Sequence, residues 1–190
     1  MFNFLKFAYS NELCNEYRND IRACGDDKSR LVSLALRQQS IPYVATMMYN
    51  GILSKDYVIE KYGDYLNGHV MNDCDGVHGY TYSWYIGYDY DNDVEIETDV
   101  VHISSTIDTV FVVKQCKCPV IYVSNNSIVN IVCDGYNSVK VYLFDNSKVT
   151  IEDTDYDTVV TVYKYSDACV VERGKYNLGK TKEFRKELRL

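Results

Sequence analysis

Between about Val101 and Val171 a short unit recurs: a polar Asn/Asp-Ser/Thr corner followed by alternating β-branched residues. Its clearest copies are Asn126-Ser127-Ile128-Val129, Asn137-Ser138-Val139-Lys140-Val141, Asn146-Ser147-Lys148-Val149-Thr150-Ile151, Asp157-Thr158-Val159-Val160-Thr161-Val162 and Asp167-Ala168-Cys169-Val170-Val171. Successive corners are 11, 9, 11 and 10 residues apart. That spacing is too short for a strand-helix unit and right for one strand and one turn. Less regular rungs come first, at Val101-His102-Ile103, Val110-Phe111-Val112-Val113 and Val120-Ile121-Tyr122-Val123, and the series is expected to end where charge and glycine take over at Glu172-Arg173-Gly174.

Two architectures accommodate a ten-residue rung. In a β-solenoid, two rungs make one coil, the Val/Ile positions stack into two parallel sheets, and Asn, Ser, Thr and Asp stack at the corners. In an antiparallel β-sandwich or meander the same spacing marks hairpins. Hairpins favour Asn-Gly, Asp-Gly or glycine at positive φ, whereas these corners reuse Asn-Ser or Asp-Thr, with glycine only at Gly135. The corner chemistry therefore favours the solenoid.

Ahead of the repeats the period is helical. Leu13, Tyr17, Ile21 and Cys24 predict a helix over 11–24, and Leu31, Leu34, Ala35 and Gln38 one over 30–39. Pro42 suits the first turn of a third helix that stops at Asn50-Gly51, and Ser54 suits the N-cap of a fourth that ends by Asn67-Gly68. From Gly79 the period becomes two: Tyr80, Tyr82, Trp84, Ile86, Tyr88 and Tyr90 share one side of a strand, and Val94, Ile96 and Thr98 could return beside it as a hairpin. The expected class is α+β: a small N-terminal helical bundle followed by a short β-solenoid, with the antiparallel β-sandwich as the alternative. The expected divisions are a helical subdomain over 1–70, an aromatic hairpin or connector over 71–98, solenoid repeats over 99–174, and a basic C-terminal helix or tail over 175–190, capping the last rung.

Charge narrows the partners. The formal net charge is −7, which argues against nucleic acid, since neutralising phosphates needs a basic face. From residue 175 onward six lysines and arginines stand against two glutamates, a formal +4 that leaves −11 for the rest. Lys180, Lys182, Arg185, Lys186 and Arg189 are thus a candidate docking tail, or simply the wet face of a terminal helix. No run approaches the ~18 apolar residues of a membrane span, and the first residues lack the layout of a secretion signal. Neither a membrane nor secretion is expected.

The seven cysteines are scattered without a CxxC, which points to free thiols in a reducing compartment. Cys116 and Cys118 lie in an alternating stretch and read as two small core residues ahead of a metal half-site. His69, Cys74 and His78 with Asp73 and Asp75 supply ligand types zinc accepts, at a spacing that matches no zinc knuckle. Asp89, Asp91 and Asp93 begin like a calcium loop, but Val94 and Val100 occupy the glycine and bidentate-glutamate positions. No metal, no cofactor and no catalytic residue is expected; His102, inside an alternating strand, reads as a structural imidazole.

Asp145-Asn146-Ser147-Lys148-Val149-Thr150-Ile151, with Tyr142-Leu143-Phe144 before it and Tyr163-Lys164-Tyr165-Ser166-Asp167 after it, resembles the D-x-S-x-V-x-A-Y solenoid repeats of tailed phages and mobile elements of gut Bacteroides. The Tyr- and Asn-rich, Pro-poor composition is similar to structural proteins of crAss-like phages. The resemblance covers roughly 101–171 and departs at Ile151 and Val162, where small alanine is usual. It implies a virion structural component made in the host cytoplasm, such as a capsid-decorating, head-fibre or connector protein that works as a homo-oligomer or with a fixed protein partner. The competing expectation is an adaptor that binds a host protein or glycan through Tyr80, Tyr82, Trp84, Tyr88 and Tyr90, since such rings offer large area at little entropic cost. An enzyme would need a polar cleft with His102 or His78 beside a carboxylate.

Overall fold

The computed structural model describes residues 15–72, 79–87 and 92–187. Among these residues four short helices precede the strands: α1 (Asn15–Cys24), α2 (Lys28–Ala35), α3 (Ile41–Tyr49) and α4 (Lys55–Tyr62). Their starts follow local chemistry. The Asp27 carboxylate accepts from Arg30 N–H at 3.1 Å and the Ser54 hydroxyl from Tyr57 N–H at 3.2 Å, so each ties down one of the amides a first turn leaves unpaired. Pro42 stands in the first turn of α3, where its missing N–H costs nothing.

Twelve strands follow: β1 (Met71–Asn72), β2 (Thr81–Ile86), β3 (Val94–Glu95), β4 (Val100–Ser104), β5 (Ile107–Val113), β6 (Val120–Ser124), β7 (Ile128–Cys133), β8 (Ser138–Leu143), β9 (Lys148–Asp153), β10 (Val159–Lys164), β11 (Val170–Asn177) and β12 (Lys180–Arg185). They alternate between two sheets. One has the order β1-β2-β4-β6-β8-β10-β12, the other β11-β9-β7-β5-β3. Apart from the β1–β2 pair every ladder is parallel: Val100 lies beside Val120, Val120 beside Lys140, and Ile131 beside Ile151. A coil of about twenty residues, two strands and two corners, thus repeats for about five turns. The parallel registers exclude the antiparallel sandwich.

Inward positions form a single apolar column between the sheets. Val101, Ile103, Ile121, Val123, Val141 and Leu143 from one side meet Phe111, Ile131, Val149 and Ile151 from the other, all essentially without solvent exposure. The corners carry the polarity. Asn125, Asn126 and Asp145 all adopt φ near +58°, the left-handed region that Asn and Asp enter more readily than other non-glycine residues. Coils are stitched there by side chains: Asp145 accepts from Asn125 N–H at 2.9 Å and Asn137 Oδ1 from Lys117 N–H at 3.2 Å, while Asn137 Nδ2 closes its own corner on the Gly135 carbonyl at 2.8 Å. The recurring Asn/Asp-Ser/Thr corners are therefore the hydrogen-bonded edges of the coils.

Three expectations are corrected. Residues 180–185 are a strand parallel to β10, not a helix, and β11 runs past Gly174 to Asn177, so the coils extend beyond 174. Lys, Arg and Glu are good helix formers, but propensity is a weak prior that tertiary context overrides, and the open ladder of β10 does so here. Nor do β2 and β3 form a hairpin: β2 pairs in parallel with β4, and β3 joins the other sheet beside β5. Cys116 and Cys118 are exposed in the loop between β5 and β6, where Cys116 has φ +64°, and so are not core residues.

Candidate functional site

The outer face of the seven-stranded sheet is where the chain's aromatic residues accumulate. Parallel register places Trp84 beside His102, then Tyr122, Tyr142, Tyr163 and Phe184 in one row across β2, β4, β6, β8, β10 and β12. The row is stacked. Ring centroids lie 5.3 Å apart for Trp84–His102, 4.8 Å for Tyr122–Tyr142, 4.9 Å for Tyr142–Tyr163 and 5.6 Å for Tyr163–Phe184, with interplanar angles of 26° or less. A second row runs alongside, with Phe144 and Tyr165 stacked at 4.8 Å and 5°. The spacing is the natural one between neighbouring strands, and offset-stacked pairs of this kind contribute roughly 0.5–1.5 kcal/mol each.

The two halves of this face have different fates. Over the early coils, Tyr82, Trp84, Ile86, Val100, Tyr122 and Phe144 share one buried cluster with Ile21, Leu34, Ile41, Val44, Met47 and Val58 of the helices. Tyr82 and Trp84, two of the five aromatic residues expected to bind, are each 3% exposed. Asn67 fastens the connection: its N–H donates to the Trp84 carbonyl at 2.8 Å and its Oδ1 accepts from Ile86 N–H at 3.0 Å. Tyr80 is exposed at the rim, and Tyr88 and Tyr90 lie outside the described residues. Over the later coils, Tyr142 and Tyr165 are half-buried at the margin of that cluster, Tyr163 is half-buried beyond it, and Phe184 is 47% exposed.

Beneath the helices sits a polar inset. His102 has no solvent exposure; its Nε2 is 2.9 Å from Ser124 Oγ, and its Nδ1 has no hydrogen-bond partner among the described residues. Burial alone pushes its pKa down to about 3, so the ring is neutral. Trp84 Nε1 donates to Ser104 Oγ at 2.8 Å, and Asn125 Nδ2 donates to Ser124 Oγ at 2.9 Å. No carboxylate faces the imidazole among these contacts, and its enclosure makes it a structural member of the ring row.

The exposed half is bordered by lysines. Outward positions on β8, β10 and β12, read along each strand, are Ser138, Lys140 and Tyr142; Val159, Thr161 and Tyr163; and Lys180, Lys182 and Phe184, with Lys186 just beyond. None carries a carboxylate. Lys186 Nζ lies 4.1 Å from the Tyr163 ring centroid and 5.5 Å from that of Tyr142, within cation–π range. Burial first, and neighbouring tyrosines second, raise the pKa of Tyr142 and Tyr165, so both keep their phenolic protons at neutral pH.

Of the candidate docking tail, Lys180, Lys182 and Lys186 thus border the ring rows, Arg185 pairs with Asp167 at 3.3 Å, and Arg189 lies outside the described residues. The Tyr142–Tyr163–Phe184 row was missed in the sequence, although its spacing of two rungs, 142, 163 and 184, was a usable signal. Cys74, His78, Asp73, Asp75, Asp89 and Asp91 also lie outside the described residues, among which no group of three or more His, Cys, Asp or Glu is placed to hold a metal. No helix among them is long and apolar enough to cross a membrane. No protein-family model matches the chain, and no curated protein or solved structure matches it significantly.

Proposed function

We propose that this chain is a non-enzymatic assembly protein, a structural component of a tailed-phage particle that acts through protein–protein contacts. One observation carries the reading: the outer face of the seven-stranded sheet is a continuous aromatic surface, sheathed by the chain's own helices over the early coils, with Tyr142 and Tyr165 at the margin of that cover, and partly open to solvent from there through Tyr163 to Phe184. A face built like the sheathed half but left open is suited to receive another protein. Parallel coils with a filled interior make it rigid, so little ordering is required on contact. The resemblance of the repeats to phage solenoid proteins supplies the setting, with a capsid-decorating, head-fibre or connector role.

The alternative of an adaptor working through Tyr80, Tyr82 and Trp84 draws less support, because Tyr82 and Trp84 are engaged in packing the helices. The test is fractionation of phage particles from a producing culture on a density gradient, with the chain quantified by mass spectrometry. Co-banding at a fixed ratio to the major capsid protein is expected. Recovery only in the particle-free fractions would overturn the reading.

A further inference from the structure

The chemistry of the open face identifies the kind of partner it fits. The chain is acidic overall, at −7, yet the outward positions of β8, β10 and β12 are free of carboxylates, and Lys140, Lys182 and Lys186 border the aromatic row on both sides. All three lysines are exposed, and none is held in an ion pair among the described residues. None of the three is thus neutralised by a carboxylate of the chain among the described residues, although Lys186 also leans on the Tyr163 ring.

The rings themselves restrict what can lie on them. Tyr163 has Tyr142 at 4.9 Å on one side, Phe184 at 5.6 Å on the other, and the Lys186 ammonium 4.1 Å from its centroid. Its faces are occupied. A nucleic-acid base gains its affinity by stacking on an open aromatic face, and in this row Tyr142 and Tyr163 each have a ring stacked on both sides, which leaves Phe184 at the end of the row as the one member with a single stacked neighbour among the described residues. With three ammonium groups and no carboxylate at its outward positions the face is locally electropositive, and a long polyanion that outran it would meet the net negative charge of the remaining chain. A short anionic stretch would not.

We propose that this face docks an acidic polypeptide segment of a partner protein, with carboxylates at Lys140, Lys182 and Lys186 and apolar parts across the edges of Tyr142, Tyr163 and Phe184. The proposal rests on the assembly reading above and specifies its surface and the partner's chemistry. Face-to-face pairing of two copies would instead bring lysines against lysines.

The probe is a fluorescein-labelled oligoglutamate peptide, titrated with the full chain at low ionic strength and followed by fluorescence anisotropy. Binding that weakens with added salt is expected, with affinity at least about tenfold lower in the Lys140→Glu/Lys182→Glu/Lys186→Glu variant. The Lys→Gln triple variant, milder toward folding, is expected to fall between, and thermal unfolding checks that both variants are folded. No binding by the wild type, or equal binding by the variants, would overturn the proposal. So would an oligothymidylate bound as tightly as the peptide, or sedimentation showing self-association that the same variants abolish. Because this readout needs no particle, a negative result here leaves the gradient test of the assembly role standing, and the reverse also holds.

Discussion

Acid should destabilise this fold through one residue, His102. Its imidazole is fully buried and stacked on Trp84, and no charged group offsets its burial, which alone drives the pKa to about 3. In the unfolded chain it titrates near ~6.5. The folded value is thus the lower one, and as pH falls below ~6.5 the unfolded state takes up a proton that the folded state refuses. The stability His102 contributes is fully present above ~6.5, declines by about 1.4 kcal/mol per pH unit below it, and levels off beneath a pH of about 3. At pH 4 the accumulated loss is about 3 kcal/mol, a large part of the ~5–15 kcal/mol available to an ordinary domain. Trp84, the only tryptophan, is buried in stacking contact with His102 and reports unfolding directly. Urea denaturation followed by its fluorescence at pH 7, 6, 5 and 4 should give falling midpoints. His102→Gln and His102→Phe should be less stable than wild type at pH 7 and lose less stability on acidification. Subtracting variant from wild type cancels every other titrating group, Asp145 included, whose pKa burial raises. Parallel curves for wild type and both variants would refute the reasoning, since His102 would then protonate as freely folded as unfolded.

Three further outcomes probe the coils. Ile131→Ala, in the middle of the apolar column, should cost about 3 kcal/mol by chemical denaturation, the loss expected for a fully buried isoleucine whose site cannot collapse. Gly179→Ala should cost roughly 1–3 kcal/mol in the same assay. Its new methyl would stand 2.5 Å from the Thr158 carbonyl oxygen and 3.0 Å from Asp153 Oδ1, and the Thr158 carbonyl belongs to backbone already bonded to Lys180 N–H. Brief iodoacetamide labelling of the native protein, mapped by peptide mass spectrometry, should modify Cys116 and Cys118 and spare Cys133, whose thiol is enclosed and whose pKa burial raises to about 12.

Local chemistry was legible and long-range pairing was not. The Asn/Asp-Ser/Thr corners are visible in sequence because left-handed backbone and inter-coil hydrogen bonds demand particular side chains at fixed positions, as at Asn125, Asn137 and Asp145. Ser54 and Pro42 mark their helices for the same local reason. β12 gave no such signal. Lys180-Thr181-Lys182-Glu183-Phe184-Arg185 has neither the alternation of a strand nor a corner repeat, and only the exposed ladder of β10 makes it extended. The aromatic rows escaped notice because their members are neighbours only across a full coil: Tyr142 and Tyr163 share no local pattern, yet parallel register brings their rings to 4.9 Å. Conversely, the conspicuous local stripe around Tyr82 and Trp84 is one whose solvent the helices replace.

The end of the stack explains why contact should be sought on its side. A last coil exposes unpaired strand edges, which invite another chain to continue the sheet. Here the inward positions change character at that coil: Thr181 follows Val160, Glu183 follows Val162 and Arg173 follows Ile151. Arg173 reaches the buried Asp153 carboxylate at 3.5 Å, and Glu183 pairs with Lys164 at 3.2 Å. A second copy stacked end to end would have to bury these groups against its own core, and charges left without water or a partner are costly. Growth along the axis is therefore disfavoured, in keeping with the proposal that contact is made on the side of the stack. Restoring the apolar pattern tests this directly. The Arg173→Val/Thr181→Val/Glu183→Val variant should sediment as concentration-dependent end-to-end oligomers under conditions where the wild type shows none along that axis, as read by crosslinks between copies at β11 and β12. If the variant sediments like the wild type and yields no such crosslinks, the polar last coil is not what terminates the stack.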